Sequence, residues 1–417
     1  MLLKVGFIIC LCISGTSLER GNKKTIREQE ANLETNTKQY DLEDNLGFNE
    51  KRNMTWFGHE NYEQERIKET WNDESNTGEF ANVETYVMGD DVKVQLKNNC
   101  DFCNCINWIL NSISCDCRQY MLNKTCTNLS ELVSCIPYIT FSLDISGFNF
   151  GTIQNGSFSN LPELTDLSLT DCNITRLEPD AFKGIKNLER LRIVDIGKNK
   201  EGISNLNYHL LRNCDTIQTL TLGKVRNIEN DTFSAVASLK KLILQHKGIL
   251  EHYKPFQALH NLRFLVLSQI GLRRIPDVIL SYLVRLEKLH LENNEITSLS
   301  FKGNLGPRKK FCLLIQSNNI KSITKADMSQ FINVASFELN LADNAIEDTE
   351  PNFLVDIKQI KTLSFEGNPK FGKTNLMHLL IGLKGKSIFK LEMTGCGIVI
   401  DKFNSSILKP LENSNLQ

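Results

Sequence analysis

The stretch Leu289-His-Leu-Glu-Asn-Asn-Glu-Ile296 decides how this 417-residue chain folds. Leu289 and Leu291 alternate with polar residues, which is the pattern of a short strand with one buried face. The first and last related stretches begin 248 residues apart, so the mean of the ten intervals is 24.8 residues. In each copy an apolar residue stands two positions after the first leucine, and the eleven first leucines are Leu143, Leu167, Leu191, Leu220, Leu242, Leu265, Leu289, Leu313, Leu339, Leu363 and Leu391.

A polar residue closes the pattern where the strand ends and the chain turns. It is Asn294 in the quoted copy, and the same position holds Asn318, Asn344 and Asn368. A buried amide there can bond backbone groups of the turn, which would otherwise cost about 1–3 kcal/mol each. Cys172 and Cys396 occupy this position in two other copies. We therefore expect these two cysteines to be buried thiols rather than disulfide partners or nucleophiles.

The period and the spacing resemble the leucine-rich repeat, L-x-x-L-x-L-x-x-N/C-x-L, whose copies run about 20–29 residues. A single repeat cannot bury its own apolar face, whereas stacked repeats can. The resemblance implies an α/β fold, a leucine-rich repeat solenoid. We expect about eleven repeats to form a curved parallel β-sheet, concave on its open face and roughly 50 Å long.

Four regions follow one another along the chain. Residues 1–17 carry one cation and an apolar stretch, as a secretory signal does; a buried N-terminal strand is the alternative. Residues 18–98 are acidic and lack a sustained apolar period, which predicts a mostly disordered pro-segment or spacer. Residues 99–137 form a cysteine-rich cap. Residues 138–417 contain the repeats, and a further copy starts at Ser414–Gln417, which predicts that the solenoid is truncated at its C-terminus.

Seven of the thirteen cysteines fall in the 99–137 region, directly before the first repeat. The region resembles the N-terminal cap of extracellular leucine-rich repeat proteins, which covers the core of the first repeat. The spacing could also suit zinc, but no histidines are interleaved and export favours disulfides. We expect disulfides and no metal, with the pairing left open, among Cys100, Cys103, Cys105, Cys115, Cys117, Cys126 and Cys135.

Charge and motifs argue against two classes of function. The 48 basic and 49 acidic residues give a net charge of −1, so no nucleic-acid partner is expected. The segment Gly367–Thr374 fits the phosphate-loop pattern G-x-x-x-x-G-K-T. Its first three residues already belong to the repeat consensus, however, and only 43 residues follow it. No other catalytic motif is present, so the sequence predicts neither an enzyme nor a cofactor.

Residues between the leucines should point away from the core, onto the concave face. In four consecutive repeats they form an apolar column flanked by aromatic residues and cations, which suggests a partner surface. A covering glycan or loop, or chance, is the alternative. Arg308-Lys-Lys310 could contact sulfated glycans or form a solvated turn. The candidate ligand-binding residues are Lys241, Ile243, Arg263, Phe264, Val266, Lys288, His290, Phe311 and Leu314.

Seven N-x-S/T sequons are possible glycosylation sites in an exported chain. Three of them stand three residues before an apolar residue that should anchor the outer arc of a repeat. Glycans at these positions would shield the convex side and leave the concave side open. Beyond the acidic region the candidates are Asn123, Asn128, Asn155, Asn173, Asn230 and Asn404.

The region Cys100–Gln417 is similar to extracellular leucine-rich repeat proteins. Within it, Phe365–Pro369, Leu391–Cys396 and Leu408–Leu416 resemble the middle of a Toll-like receptor ectodomain. This resemblance implies a receptor that binds microbial or protein ligands, dimerises, and signals through an intracellular TIR domain. The expected partner is a protein or glycan, possible homodimers included, and any membrane attachment would need a segment absent from this chain. The alternative is a secreted or matrix-associated adhesion protein without a signalling role; either acts outside the cell.

Overall fold

The computed structural model of the chain describes residues 83–88, 91–96, 102–108, 112–119, 126, 128–195, 202–244, 254–302 and 305–398. The predicted signal at 1–17 and the predicted truncated repeat at 414–417 lie outside the described residues. In chain order the strands are β1 (Val83–Met88), β2 (Asp91–Leu96), β3 (Cys103–Trp108), β4 (Ser112–Arg118), β5 (Thr140–Ser146), β6 (Gly151–Ile153), β7 (Asp166–Thr170), β8 (Ile174–Leu177), β9 (Arg190–Val194), β10 (Thr219–Leu222), β11 (Lys241–Leu244), β12 (Phe264–Val266), β13 (Lys288–His290), β14 (Phe311–Leu314), β15 (Ser322–Ile323), β16 (Phe337–Asn340), β17 (Asp348–Thr349), β18 (Ile360–Ser364) and β19 (Lys390–Glu392).

Fifteen of these strands form one sheet within the described residues, in the order β1-β2-β3-β4-β5-β7-β9-β10-β11-β12-β13-β14-β16-β18-β19. From β4 to β19 all neighbours are parallel. The first leucines of the eleven repeats pair in an unbroken series, from Leu143 opposite Leu167 to Leu363 opposite Leu391. The predicted register and the predicted solenoid are therefore confirmed. Two small parallel sheets, β6-β8 and β15-β17, link neighbouring repeats outside the main sheet.

Short helices return the chain from the end of one strand to the start of the next. They are α1 (Leu129–Ser134), α2 (Tyr208–Leu211), α3 (Asp277–Tyr282), α4 (Lys325–Ser329) and α5 (Gly372–Gly382). Thr232–Val236 and Lys254–Ala258 are 3₁₀ turns in equivalent places. Their apolar side chains join the leucines of the strands in one continuous core. Among the described helices, none has both the length and the hydropathy that crossing a membrane requires.

A disulfide-bonded hairpin covers the start of the solenoid. In the antiparallel pair β3-β4, Cys103 stands opposite Cys117 and Cys105 opposite Cys115, and both pairs are disulfides. Because side chains two residues apart share a face of a strand, the two bridges lie side by side on the core side. Strand β4 then pairs in parallel with β5, so the hairpin extends the sheet and buries the first repeat.

The other three cap cysteines differ in whether the structure shows them in a disulfide. Cys135 is also disulfide-bonded, as expected. Cys126 is not: it is a free, buried thiol whose Sγ donates to the Asn128 carbonyl oxygen at 3.4 Å. The prediction of a disulfide at Cys126 is therefore wrong, because this side chain packs into the core as a small apolar residue. Cys100 lies outside the described residues.

The acidic region 18–98 contains regular structure at its C-terminal end, where disorder was expected. Strands β1 and β2 pair in an antiparallel hairpin in which Met88 stands opposite Asp91, and β2 also pairs with β3. The two strands are rich in Val, Thr and Tyr and are separated by Gly89-Asp90, a two-residue spacing typical of hairpins. The sheet therefore begins before the predicted boundary at residue 99. Residues 18–82 lie outside the described residues.

The predicted asparagine ladder is present and buried. The Asn318 amide nitrogen lies 2.9, 3.0 and 3.1 Å from the carbonyl oxygens of Leu291, Ile315 and Gln316, and its Oδ1 accepts the Ile296 N–H at 2.9 Å. The other members of the ladder, Asn294, Asn344 and Asn368, repeat this set of bonds.

Cys172 and Cys396 take the same place as free, buried thiols, as predicted. Their Sγ atoms donate to the carbonyl oxygens of Ile145 and Phe365, which lie in the preceding repeat in each case. Burial raises the pKa of Cys172 to about 12 and that of Cys396 to about 11, which suppresses the reactive thiolate. The predicted role of these two residues is confirmed.

Candidate functional site

The candidate ligand-binding residues lie on four adjacent strands of the concave face. In the register of β11 to β14, Ile243 stands opposite Val266, Val266 opposite His290, and His290 opposite Leu314. These four residues form the predicted column. A second column beside it runs from Lys241 through Phe264 and Lys288 to Cys312. The structure thus brings together most of the residues that the sequence selected.

Two members of the apolar column are nevertheless too buried to meet a partner. Ile243 is 1% exposed and Val266 is 7% exposed, whereas His290 and Leu314 are half-buried. Ile243 stands between Thr221 and Val266 on strands about 4.8 Å apart, so these branched side chains cover one another. The burial of Ile243 and Val266 does not favour the binding roles predicted for them, and Phe264, at 36% exposure in the neighbouring column, is the most exposed apolar residue among the candidates.

Phe311 was expected on the concave face but belongs to the core. It is 2% exposed, and its ring lies 6.2 Å from that of Phe331 and 6.5 Å from that of Phe337. In regular repeats a buried apolar residue stands three positions before the first leucine of the repeat, as Leu286 does before Leu289. Here that position is Lys310, which is exposed, so Phe311 fills the space one residue later.

A buried polar cluster crosses the face between β12 and β13. Nδ1 of His290 lies 2.7 Å from Oε1 of Glu292, and the Ser268 hydroxyl donates to Oε2 of the same carboxylate at 2.5 Å. Burial raises the pKa of Glu292, but the hydrogen bonds from His290 and Ser268 outweigh it and leave the pKa below its ordinary value. The carboxylate is thus held charged and fixed. The sequence pattern gave no sign of Ser268, because the partner of a concave side chain lies 24 residues away.

Cations gather at the starts of the same strands. Arg263 and Lys310 both reach Glu287, at 3.5 Å and 2.7 Å, and the Lys240 Nζ donates to the Gln218 Oε1 at 2.8 Å. Lys241 and Lys288 flank Phe264 in the ladder and are half-buried. The exposed aromatic ring therefore stands in a positively charged setting.

Arg308, in contrast, is not a surface cation. It is buried, its guanidinium carbon lies 5.8 Å from the centre of the Phe311 ring, and its Nη1 donates to the Val284 carbonyl oxygen. The Arg308-Lys-Lys310 cluster is therefore divided, because Arg308 packs inward while Lys309 and Lys310 face solvent. Only the two lysines are available to a ligand.

The phosphate-loop pattern at Gly367–Thr374 is used for repeat stacking. The N–H groups of Gly367 and Gly372 donate to the carbonyl oxygens of Thr394 and Cys396 in the next repeat, at 2.8 and 3.0 Å. The Asn368 side chain belongs to the asparagine ladder. Backbone donors engaged in this way cannot cradle phosphate. Within the described residues, no group of three or more His, Cys, Asp or Glu side chains is arranged to hold a metal ion.

The described sequons differ in how open their asparagines are. Asn155 and Asn230 are exposed, and the phenylalanines three residues after them, Phe158 and Phe233, are fully buried as expected. Asn128 is exposed but caps α1 through a bond from the Ser130 N–H at 3.0 Å. Asn173 is half-buried and its amide donates to Asn149 at 2.8 Å. Asn123 and Asn404 lie outside the described residues.

Comparisons with known proteins agree with this architecture. A family model described as leucine rich repeat matches residues 142–195. The CD180 antigen of Mus musculus is 27% identical over 279 residues, which is 66% of this chain and 34% of that protein. Toll-like receptor 3 of Homo sapiens is 32% identical over 143 residues, 33% of this chain and 15% of the receptor. Fibromodulin of Bos taurus is 24% identical over 305 residues, 71% of this chain and 72% of that protein.

The chain thus spans about a third of the CD180 antigen and a smaller part of Toll-like receptor 3. The repeat register and these matches together show a leucine-rich repeat architecture, similar to extracellular proteins of two kinds, the Toll-like receptors and fibromodulin.

Proposed function

We propose that this chain is an extracellular recognition module of the receptor-ectodomain type, which holds a protein or glycan partner on its concave sheet. The observation that carries the proposal is Phe264, a half-open aromatic ring on a rigid strand, flanked in register by Lys241 and Lys288. The similarity to the CD180 antigen and to Toll-like receptor 3 supports the receptor type. With a net charge of −1, the chain has no overall field that would favour nucleic acid.

The sheet is suited to this role because its backbone is fixed before a partner arrives. Each strand around Phe264 bonds to a neighbour on both sides, so little ordering entropy remains to be lost on binding. Aromatic residues and arginine are the types that most often dominate binding energy at interfaces, and Arg263 directly precedes the exposed ring. Glycans at Asn155 and Asn230 would occupy the opposite side of the repeats and leave this face open.

A matrix adhesion protein is the second candidate. The fibromodulin match favours it, because it extends over 72% of that protein, whereas the match to the CD180 antigen covers 34%. The two candidates share the solenoid and the concave face. They differ in the partner, which is a soluble or cell-bound ligand for a receptor and an assembled matrix for an adhesion protein.

The test compares two charge substitutions of equally exposed aromatic residues. The full chain is produced in a eukaryotic secretory host, labelled, and measured for saturable binding to intact cells and to decellularised matrix. Phe264→Glu should weaken binding about tenfold or more, since interface hot spots contribute at least about 2 kcal/mol. Tyr208→Glu is the matched control, because Tyr208 is 37% exposed and lies on α2, away from the sheet.

The outcomes separate the candidates. Loss of cell binding with Phe264→Glu, and not with Tyr208→Glu, supports recognition on the concave face. Binding confined to matrix supports the adhesion protein. If the chain stays inside the host, or if the two variants bind alike, the proposal is wrong.

A further inference from the structure

We propose that the starts of strands β11 to β14 form a binding surface for a sulfated glycosaminoglycan. This names the ligand class of the recognition face and rests on the proposed function. The surface, called here the basic rim, consists of the cations among the first residue of each strand and the two residues before it: Lys240, Lys241, Arg263, Lys288, Lys309 and Lys310.

The rim has an excess of positive charge that its own carboxylates do not balance. Among the twelve positions that define it, Glu287 is the single acid, and Arg263 and Lys310 share it. Elsewhere on the sheet each of three exposed cations has a carboxylate of its own: Arg190 pairs with Asp166, Lys361 with Glu338, and Lys390 with Glu392. Clustered charge of one sign raises the local concentration of an oppositely charged ligand.

The rim is open and ordered. Lys240, Arg263, Lys309 and Lys310 are exposed to solvent. Hydrogen bonds between neighbouring repeats hold the backbone of the rim. The Arg263 N–H donates to the Lys240 carbonyl oxygen and the Glu287 N–H to the Arg263 carbonyl oxygen, both at 2.8 Å. From β11 to β14 there are three strand intervals, so the cations extend about 14 Å along the solenoid. A linear polymer with regularly spaced anions can contact such a row at several points at once.

The surroundings of the rim favour a polysaccharide over a protein. Protein interfaces centre on a desolvated apolar core with aromatic anchors. Beside the rim, Ile243 and Val266 are buried and Leu314 is half-buried, so Phe264 is the one exposed apolar side chain among the candidate residues. A sulfated polysaccharide needs little apolar surface, and its sulfates remain charged at every physiological pH. Arginine and lysine side chains bind such oxyanions through charge-assisted hydrogen bonds.

The experiment measures binding of the purified full chain to immobilised heparan sulfate in about 0.15 M salt. The triple variant Arg263→Gln/Lys309→Gln/Lys310→Gln should weaken binding about tenfold or more, since multi-point ionic binding is lost contact by contact. The control, Lys183→Gln/Lys186→Gln/Lys384→Gln, has the same net charge and removes exposed lysines from the segments between strands. It should bind within about twofold of the wild type, because these lysines lie outside the rim, in the segments between β7 and β9 and between β18 and β19.

A second variant tests the rim by gain rather than loss. Glu287→Gln removes its one carboxylate and should tighten binding severalfold, a result that a misfolded variant could not give. N-acetylated heparosan, which has the carboxylates without sulfates, should not compete. Equal weakening in both triple variants, or no change with Glu287→Gln, would overturn the proposal. Tighter binding of single-stranded RNA or of poly-glutamate than of heparan sulfate would also overturn it. If Phe264-dependent cell binding persists without heparan sulfate binding, this inference fails while the recognition function stands.

Discussion

Removing one rung of the asparagine ladder should destabilise the solenoid by an amount that the hydrogen bonds define. In Asn318→Ala the Ile296 N–H loses its acceptor and stays buried. The carbonyl oxygens of Leu291 and Ile315 each keep a second donor, because Asn294 also bonds the first at 2.9 Å and Asn344 the second at 3.1 Å. One orphaned buried donor costs about 1–3 kcal/mol, so we expect the free energy of unfolding to fall by about 2 kcal/mol.

The substitution Asn318→Asp separates the hydrogen bonds from the shape of the side chain. Aspartate can still accept the Ile296 N–H, but its second oxygen faces carbonyl oxygens and its charge is buried. We therefore expect a larger loss than for Asn318→Ala at pH 7. Burial raises the folded-state pKa of such a carboxyl, so this added penalty should lessen as the pH falls and the group is protonated.

The assay is urea unfolding at constant temperature, followed by circular dichroism and analysed by linear extrapolation. Asn319→Ala is the matched control, because Asn319 is the exposed neighbour and its substitution should change the free energy of unfolding by less than about 0.5 kcal/mol. If Asn318→Ala and Asn319→Ala unfold at the same urea concentration, the ladder does not stabilise the turns and the reasoning fails.

Glu292→Gln should destabilise the chain at pH 7. Because the folded pKa of Glu292 is below 4.5, the stability difference from wild type should shrink as the pH falls below that value, measured by unfolding at several pH values. The Cys172 thiol, with its pKa raised to about 12 from 9.0, should be alkylated about 1,000-fold more slowly at pH 8 in the native chain than in urea, as mass spectrometry would show. Asn230→Gln should remove one N-glycan from the secreted chain and increase its mobility in gel electrophoresis, whereas Asn227→Gln, outside any sequon, should leave mobility unchanged.

The register of the solenoid could be predicted from the sequence because the leucine spacing within each repeat indicates it independently. All eleven first leucines fall opposite one another, and this needed only the spacing of apolar residues. The asparagine positions followed from the same spacing, because a buried polar side chain at the end of each strand must find hydrogen-bond partners, and the backbone of the turn supplies them. Because the pattern repeats many times, a weak copy can be aligned from the copies on either side of it.

The single hairpin β1-β2 had no such support. It occurs once, in an acidic region whose average composition indicates disorder. Its local signal, two short runs of β-branched residues around Gly89-Asp90, is present but is outweighed when composition is averaged over 80 residues. It joins the main sheet through the pairing of β2 with β3, which is itself tied to β4 by two disulfides. A contact of this kind lies in the tertiary structure and cannot be read from the segment alone.

The concave face was the least predictable part because exposure there depends on neighbours in other repeats. The buried state of Ile243 follows from Thr221 and Val266, each more than 20 residues away. Periodicity identifies the face on which a side chain lies, but not how far its neighbours cover it. How deeply a side chain of the concave face is buried therefore depends on the volumes of the side chains on the two flanking strands.

The case of Lys310 shows how one departure from the repeat pattern links the core to the binding face. Where Leu286 is buried before Leu289, Lys310 stands before Leu313, and a lysine is too costly to bury without a partner. The chain therefore places Phe311 in the core one residue later and turns the lysine outward beside Glu287. The same irregularity that made the assignment of Phe311 wrong adds a cation to the basic rim. The charge of that surface is thus a consequence of how this repeat departs from its consensus.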